Sequence, residues 1–282
     1  MTHPIYRVSS LGRPLDPRYK SNRLAILGSA AAGLLILWFN FFASTPLDTS
    51  AVTAAIGVFL AWAIGRELDP DRPRVAALAM AISLPAIFLG PPALMLGFGT
   101  LVATRAISGT VGAPLQRVDL LALVGMAGLL GAGGITSVAL PGLLVAAVLS
   151  ERNRRGPIPL VAGMVVAAGV GAAVARPSLV WEAATGTEFV LLGLTIGAAF
   201  SQAPAAIASL ADLGGRMSSH RIRVSRWVAA GTVALGFILG GGPGVVAAFP
   251  TAGAAVLAAG VVGLAGRSHP APPAPVERER VT

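Results

Sequence analysis

Residues 75–104 read VAALAMAISLPAIFLGPPALMLGFGTLVAT. As a single helix this run would be about 45 Å long at 1.5 Å per residue, well beyond the roughly 30 Å of hydrocarbon in a bilayer. Gly90-Pro91-Pro92 stands near its middle, and adjacent prolines remove backbone donors and clash with the preceding turn. The run therefore reads as two apolar helices, Val75 to Leu89 and Ala93 to Thr104, folded against each other as a hairpin.

The same logic works outward in both directions. Leu24 to Phe42 and Thr49 to Ile64 precede this hairpin, and Val118 to Leu130 and Ile135 to Leu149 follow it around Gly131-Ala132-Gly133-Gly134. Pro157 to Ala175 leads through a longer connection into Phe189 to Leu210, and Trp227 to Leu239 and Val245 to Leu264 flank Gly240-Gly241-Gly242-Pro243-Gly244. The expected fold is all-α: a polytopic transmembrane helical bundle of about ten spans arranged as hairpins. The range is about eight to ten, because several runs are short for a full crossing. Residues 1–23 form a basic cytoplasmic segment, 24–266 the bundle, and 267–282 a Pro-rich, charged tail expected to be a disordered cytoplasmic extension. The first apolar run is longer than a signal h-region and more spans follow, so no cleaved signal peptide is expected.

Composition points the same way. The 282 residues are 55% hydrophobic and only 12% charged, with mean hydropathy +0.77, whereas soluble domains sit nearer a quarter charged. The absence of cysteine excludes disulfides, thiol catalysis, thiolate zinc sites and iron–sulfur clusters. Three scattered histidines, His3, His220 and His269, leave little for a haem or a histidine-rich metal site.

A net charge of +9 would suggest nucleic acid in a soluble chain, but its distribution explains it differently. With both termini cytoplasmic, all of the 21 Lys and Arg except Arg176 fall on inner segments, as the positive-inside rule requires. The basic character then reports orientation in the cell membrane and contact with anionic lipid at the cytoplasmic face, and no nucleic-acid partner is expected. Trp38, Trp62, Trp181 and Trp227 all fall near expected span ends or in the outer connection, at headgroup level.

Two stripes of small residues at four-residue spacing, Gly163-Ala167-Gly171-Ala175 and Gly193-Gly197-Ser201-Ala205, mark close helix packing. They fit packing within the chain, or against a protein partner or a second copy.

Two places combine residues that can carry function. Phe200-Ser201-Gln202-Ala203-Pro204 puts a hydroxyl, an amide and a proline-freed carbonyl midway along a span. Ser201, Gln202 and Pro204 are the candidate substrate contacts of a carrier or permease for a small, weakly polar or lipid-like solute. Equally, Gln202 can tie two helices together while Pro204 kinks one. Pro85, Pro141 and Pro250 interrupt three further spans. No ionisable residue falls clearly inside a span, so a buried proton relay is not expected.

The second place is Arg66-Glu67-Leu68-Asp69-Pro70-Asp71-Arg72-Pro73-Arg74, at the inner mouth between the second and third spans. Glu67, Asp69 and Asp71 can share Mg²⁺ with a phosphorylated lipid, with Arg66 and Arg72 as phosphate contacts. That would be a membrane-embedded enzyme, and only this alternative calls for a cofactor. The plainer reading is a loop whose acids balance its arginines. A non-catalytic membrane subunit or scaffold is the third alternative. No family motif of intramembrane prenyltransferases, lipid-phosphate phosphatases or CDP-alcohol phosphotransferases is present.

Overall fold

The computed structural model describes residues 8–9, 11–43, 50–112, 115–132, 163–168, 170–172, 181–201, 211–213 and 217–267. The described residues are helical, with no strand among them. α1 is Lys20–Phe42, α2 Ser50–Leu68, α3 Pro73–Ala86 and α4 Leu94–Ser108. α5 is Arg117–Ala132, α6 Gly186–Ser201, α7 Ser219–Ala248 and α8 Ala254–Arg267. Lys20–Phe42, Ser50–Leu68 and the stretch Ser219–Ala265 are long and apolar enough to cross a membrane.

α1 shows why such a helix belongs in lipid. It buries one stripe, Asn22, Ala25, Ser29, Ala32, Gly33 and Ile36, while Leu27, Leu34, Phe41 and Phe42 on its other faces are exposed. In water that outer surface would be a large unpaid apolar area; against acyl chains it costs nothing. α2 lies inside, packed on α1, α3, α4 and α8, and is buried almost all round from Leu60 to Leu68.

The chain reversal read from residues 75–104 is present, but α3 and α4 each pack on α2 rather than on each other. Arg72 lies 3.8 Å from Asp69 at the foot of α2. Pro92 then touches Gly57 further up α2, and Arg105 returns to Glu67. α3 tightens into a 3₁₀ turn over Ile87–Leu89 after Pro85, and the amide of Ala93 donates to the carbonyl of Ala247 at 3.0 Å.

The stretch Ser219–Ala265 has 47 residues and would be about 70 Å long if straight. It doubles back instead. Arg226 near its start bonds the loop after α2 at Asp69, and Val262 near its end accepts a hydrogen bond from Arg72 of that same loop. The reversal is at Gly241, whose φ of +64° lies in the left-handed region that glycine occupies without strain. A Cβ on Gly236 would stand only 2.6 Å from the carbonyl oxygen of Gly244, so the two limbs meet backbone to backbone. A π-helical turn, Phe249–Gly253, interrupts the returning limb at Pro250.

One small-residue stripe packs as expected: Gly171 abuts the backbone of Gly128, and a Cβ on Gly128 would meet Ala167 of the stripe at 3.4 Å. Gly193 and Gly197 have no described atom within 4 Å of where a Cβ would stand.

Helix ends sort into two groups. The end of α2, the start of α3, the end of α4 and the start of α5 and α7 carry the ionic contacts. Trp38, Phe39, Phe41 and Phe42 gather at the far end of α1, with Phe39 5.6 Å from Phe88. Trp181 and Trp227 are exposed, as expected of interfacial residues. Trp62 differs: it is buried in the apolar core beside Phe59, with the Arg66 guanidinium over its ring at 5.3 Å.

Candidate functional site

The polar end is built around two carboxylates. Glu67 is the penultimate residue of α2 and is 0% exposed, so an acid read from the sequence as a loop residue belongs to a helix of crossing length. It accepts hydrogen bonds from Arg105 Nε at 3.0 Å, Ser108 Oγ at 3.4 Å and the hydroxyl of Thr110, with Arg13 Nη1 at 3.5 Å. A carboxylate so surrounded is neutralised and fully bonded, the condition on which a buried charge is tolerated.

Asp69, 3% exposed, faces the other way. Arg226 Nη2 is 3.3 Å from it and Arg72 Nη1 3.8 Å. Arg226 also donates through Nε to the carbonyl of Leu68 at 2.7 Å, satisfying one of the carbonyls that the end of α2 leaves open. Burial pushes the Asp69 carboxyl above its ordinary value, against the pull of Arg226 and Arg72.

Of the residues proposed to hold metal and phosphate, Glu67 looks toward α4 and Asp69 toward α7. Arg66 turns to α1, donating to Asn22 Oδ1 at 3.3 Å. Arg72 stays with Asp69 and Val262. Among the described residues, no group of three or more His, Asp or Glu is placed to hold a metal ion. Ser201 closes α6 and donates to the carbonyl of Ala198 at 2.9 Å. Gln202 and Pro204 lie outside the described residues, as do Pro141 and Ala205.

Ser9, Arg13, Asp119 and Asp212, which the sequence alone does not single out as parts of this end, complete it. Asp119, 1% exposed, accepts from Ser9 Oγ at 2.5 Å and from the amide of Gln116 at 2.7 Å. Arg105 donates to the carbonyl of Leu11 at 2.9 Å. Arg13 grips Asp212 with two bonds, Nε at 2.9 Å and Nη2 at 2.6 Å. The segment before α1 is thereby strapped across α2, α4, α5 and the turn at Asp212. Single letters in distant segments carry no mark of such pairings; only the clustering of Arg at helix ends hinted at them.

A buried row of hydroxyls leads from this end into the bundle. Thr100, Thr104 and Ser108 recur every four residues along α4, each at most 1% exposed, which places them on one face. Thr100 Oγ1 is 3.3 Å from Thr232 Oγ1 on α7. Thr251, within the π-helical turn, lies beside Gly97 one turn further along α4. Each threonine also donates to a carbonyl three or four residues earlier in its own helix, so the row is self-satisfied in apolar surroundings.

Compared with known proteins, the chain matches no family model, no curated protein and no solved structure.

Proposed function

We propose that the chain is a bundle of about ten spans in the cell membrane with both termini cytoplasmic, acting as a carrier for a small, weakly polar or lipid-like solute. The observation that carries this reading is the buried hydroxyl row Thr100-Thr104-Ser108 with Thr232 and Thr251, running from the Glu67 cluster into apolar surroundings beside an interrupted helix. Irregular backbone and neutral hydrogen-bonding groups at depth are what a carrier needs to bind a solute that sheds its water. π-helical turns recur at functional positions, and here one brings Thr251 to Gly97. Ser201, Gln202 and Pro204 remain the second polar feature of this reading.

The test is uptake by proteoliposomes of glycerol, followed by light scattering, and movement of a short-chain fluorescent lipid. Protein-dependent permeation is expected, falling about tenfold in a Thr100→Val, Thr232→Val variant with an unchanged melting temperature. Absence of permeation of either probe would sink the reading.

Convergence of Arg105 and Arg226 on Glu67 and Asp69 favours a second reading, the Mg²⁺-dependent enzyme acting on a phosphorylated lipid, because such a site needs a second polar loop beside the first. That reading expects a saturable Mg²⁺-dependent rise in melting temperature that disappears in a Glu67→Gln, Asp69→Asn, Asp71→Asn variant.

A further inference from the structure

Taking away the contacts of the N-terminal strap leaves the buried Glu67–Arg105 pair intact, while Asp119 loses the Ser9 hydroxyl and the Leu11 amide. Glu67 keeps Arg105, Ser108 and Thr110. Asp119 keeps the Gln116 amide. Arg105 keeps Glu67. The turn at Asp212 stays tied to α4's end through the amides of Asp212 and Leu213, which donate to the carbonyls of Thr110 and Val111 at 3.0 and 3.1 Å. Arg13 itself is 14% exposed and Asp212 25%, so water reaches both without rearrangement.

The Arg226–Asp69 pair is the contrast. Its members are 7% and 3% exposed, so parting them separates two buried charges and leaves Asp69 to Arg72 at the longer 3.8 Å, which is strongly unfavourable. One polar end thus contains a clasp that holds the helices together and a second clasp that water can replace. The strap adds one apolar anchor, Leu11, 9% exposed, which joins the buried cluster that includes Ile107 and Leu123.

Glu67, which Arg13 of the strap contacts, also accepts hydrogen bonds from Ser108 and Thr110, 1% and 2% exposed, at the foot of the hydroxyl row. We propose that the strap formed by Ser9 and Leu11 to Arg13 is a releasable cover on the polar end, and that its departure admits water and solute to Ser108 and the hydroxyl face of α4. The cover's role as a gate rests on the carrier reading above; the cover itself does not. Two states of this kind need only differ by a small free energy, so that the open one is a minor population that a partner or solute can draw on.

The cysteine-free sequence makes the test direct. Ser108→Cys reports the space under the strap, and Thr104→Cys the position one turn deeper. Ala54→Cys, a 0% exposed site on α2 away from the polar end, reports general loosening. Each is introduced alone into the full chain, in detergent and in vesicles, and reacted with a charged methanethiosulfonate reagent. Arg13→Ala is expected to speed labelling of Ser108→Cys at least tenfold and to leave Ala54→Cys unchanged. Asp212→Asn, which keeps Arg13 and weakens its grip, is expected to act in the same direction by a smaller factor, and serves if Arg13→Ala does not accumulate as folded protein. Labelling of Ser108→Cys that stays slow in both variants, or that rises in step with Ala54→Cys, overturns the proposal. Fast labelling at Ser108→Cys with none at Thr104→Cys would keep the cover and remove the path behind it, which separates failure of the carrier reading from failure of the cover.

Discussion

Arg226 binds the end of α2 twice, through a 2.7 Å hydrogen bond from Nε to the Leu68 carbonyl and a 3.3 Å contact from Nη2 to the Asp69 carboxylate. The residues are more than 150 positions apart in sequence, so this pair fixes where α7 meets α2. Removing one member of a buried pair typically costs about 3–5 kcal/mol. Arg226→Ala is therefore expected to lower stability by roughly that amount, measured by thermal or denaturant unfolding in detergent. Arg226→Lys should recover little, since a point ammonium cannot hold a carbonyl and a carboxylate in the fixed fork of a guanidinium. A joint Arg226→Met, Asp69→Leu replacement should lie well above Arg226→Ala, because it leaves no charge stranded. Equal stability of Arg226→Ala and wild type would refute the assignment.

Asp69 sets a pH dependence with a definite sign. Burial raises its carboxyl above the usual 3.8, and Arg226 and Arg72 offset only part of that rise. The folded chain therefore holds the proton more tightly than the unfolded one. The stability contributed by this group is fully present below 3.8 and is lost as pH rises through the folded value. Across that window stability should fall faster with pH in wild type than in Asp69→Asn, by at most about 1.4 kcal/mol per pH unit. Unfolding midpoints of both proteins from acid to neutral pH measure the difference; parallel curves would show that Asp69 is not the group responsible.

How much of this was legible in the letters differs by feature. Proline and glycine positions announced two of the expected chain reversals, because Gly90-Pro91-Pro92 and Gly240-Gly241-Gly242-Pro243 break helices by local sterics that need no partner. The small residues at 163, 167 and 171 announced close packing for the same local reason. Glu67 was misplaced in a loop, since an acid at the end of an apolar run looks like the end of the helix. Its burial depends on Arg13, Arg105 and Thr110, which only the folded chain brings to it. Ser9 and Asp119 are 110 positions apart, and no periodicity connects them.

Gly241 is the turn on which the long apolar stretch reverses. Its φ of +64° and the docking of Glu182 against it, with the Gly242 amide donating to the Glu182 carbonyl at 3.1 Å, leave no room for a side chain. Gly241→Ala should cost on the order of 1–3 kcal/mol from backbone strain, with more from displacement of the residue 181–183 segment. A melting temperature within error of wild type would mean that the chain does not turn there.

Orientation in the membrane is the last expectation, and the two ends of the bundle make it testable with single cysteines. Arg74 is exposed in the first turn of α3, at the ionic end, and Glu182 is exposed where the other end meets Gly241. Because almost all of the positive charge lies on the segments expected to be inner, a membrane-impermeant maleimide added to intact cells should label Glu182→Cys and spare Arg74→Cys until the membrane is opened. The reverse pattern would invert the topology and place the strap, Glu67 and the foot of the hydroxyl row outside the cell. Labelling of both from one side would mean that neither α3 nor the first limb of α7 crosses, although α7 belongs to one of the stretches long and apolar enough to do so among the described residues.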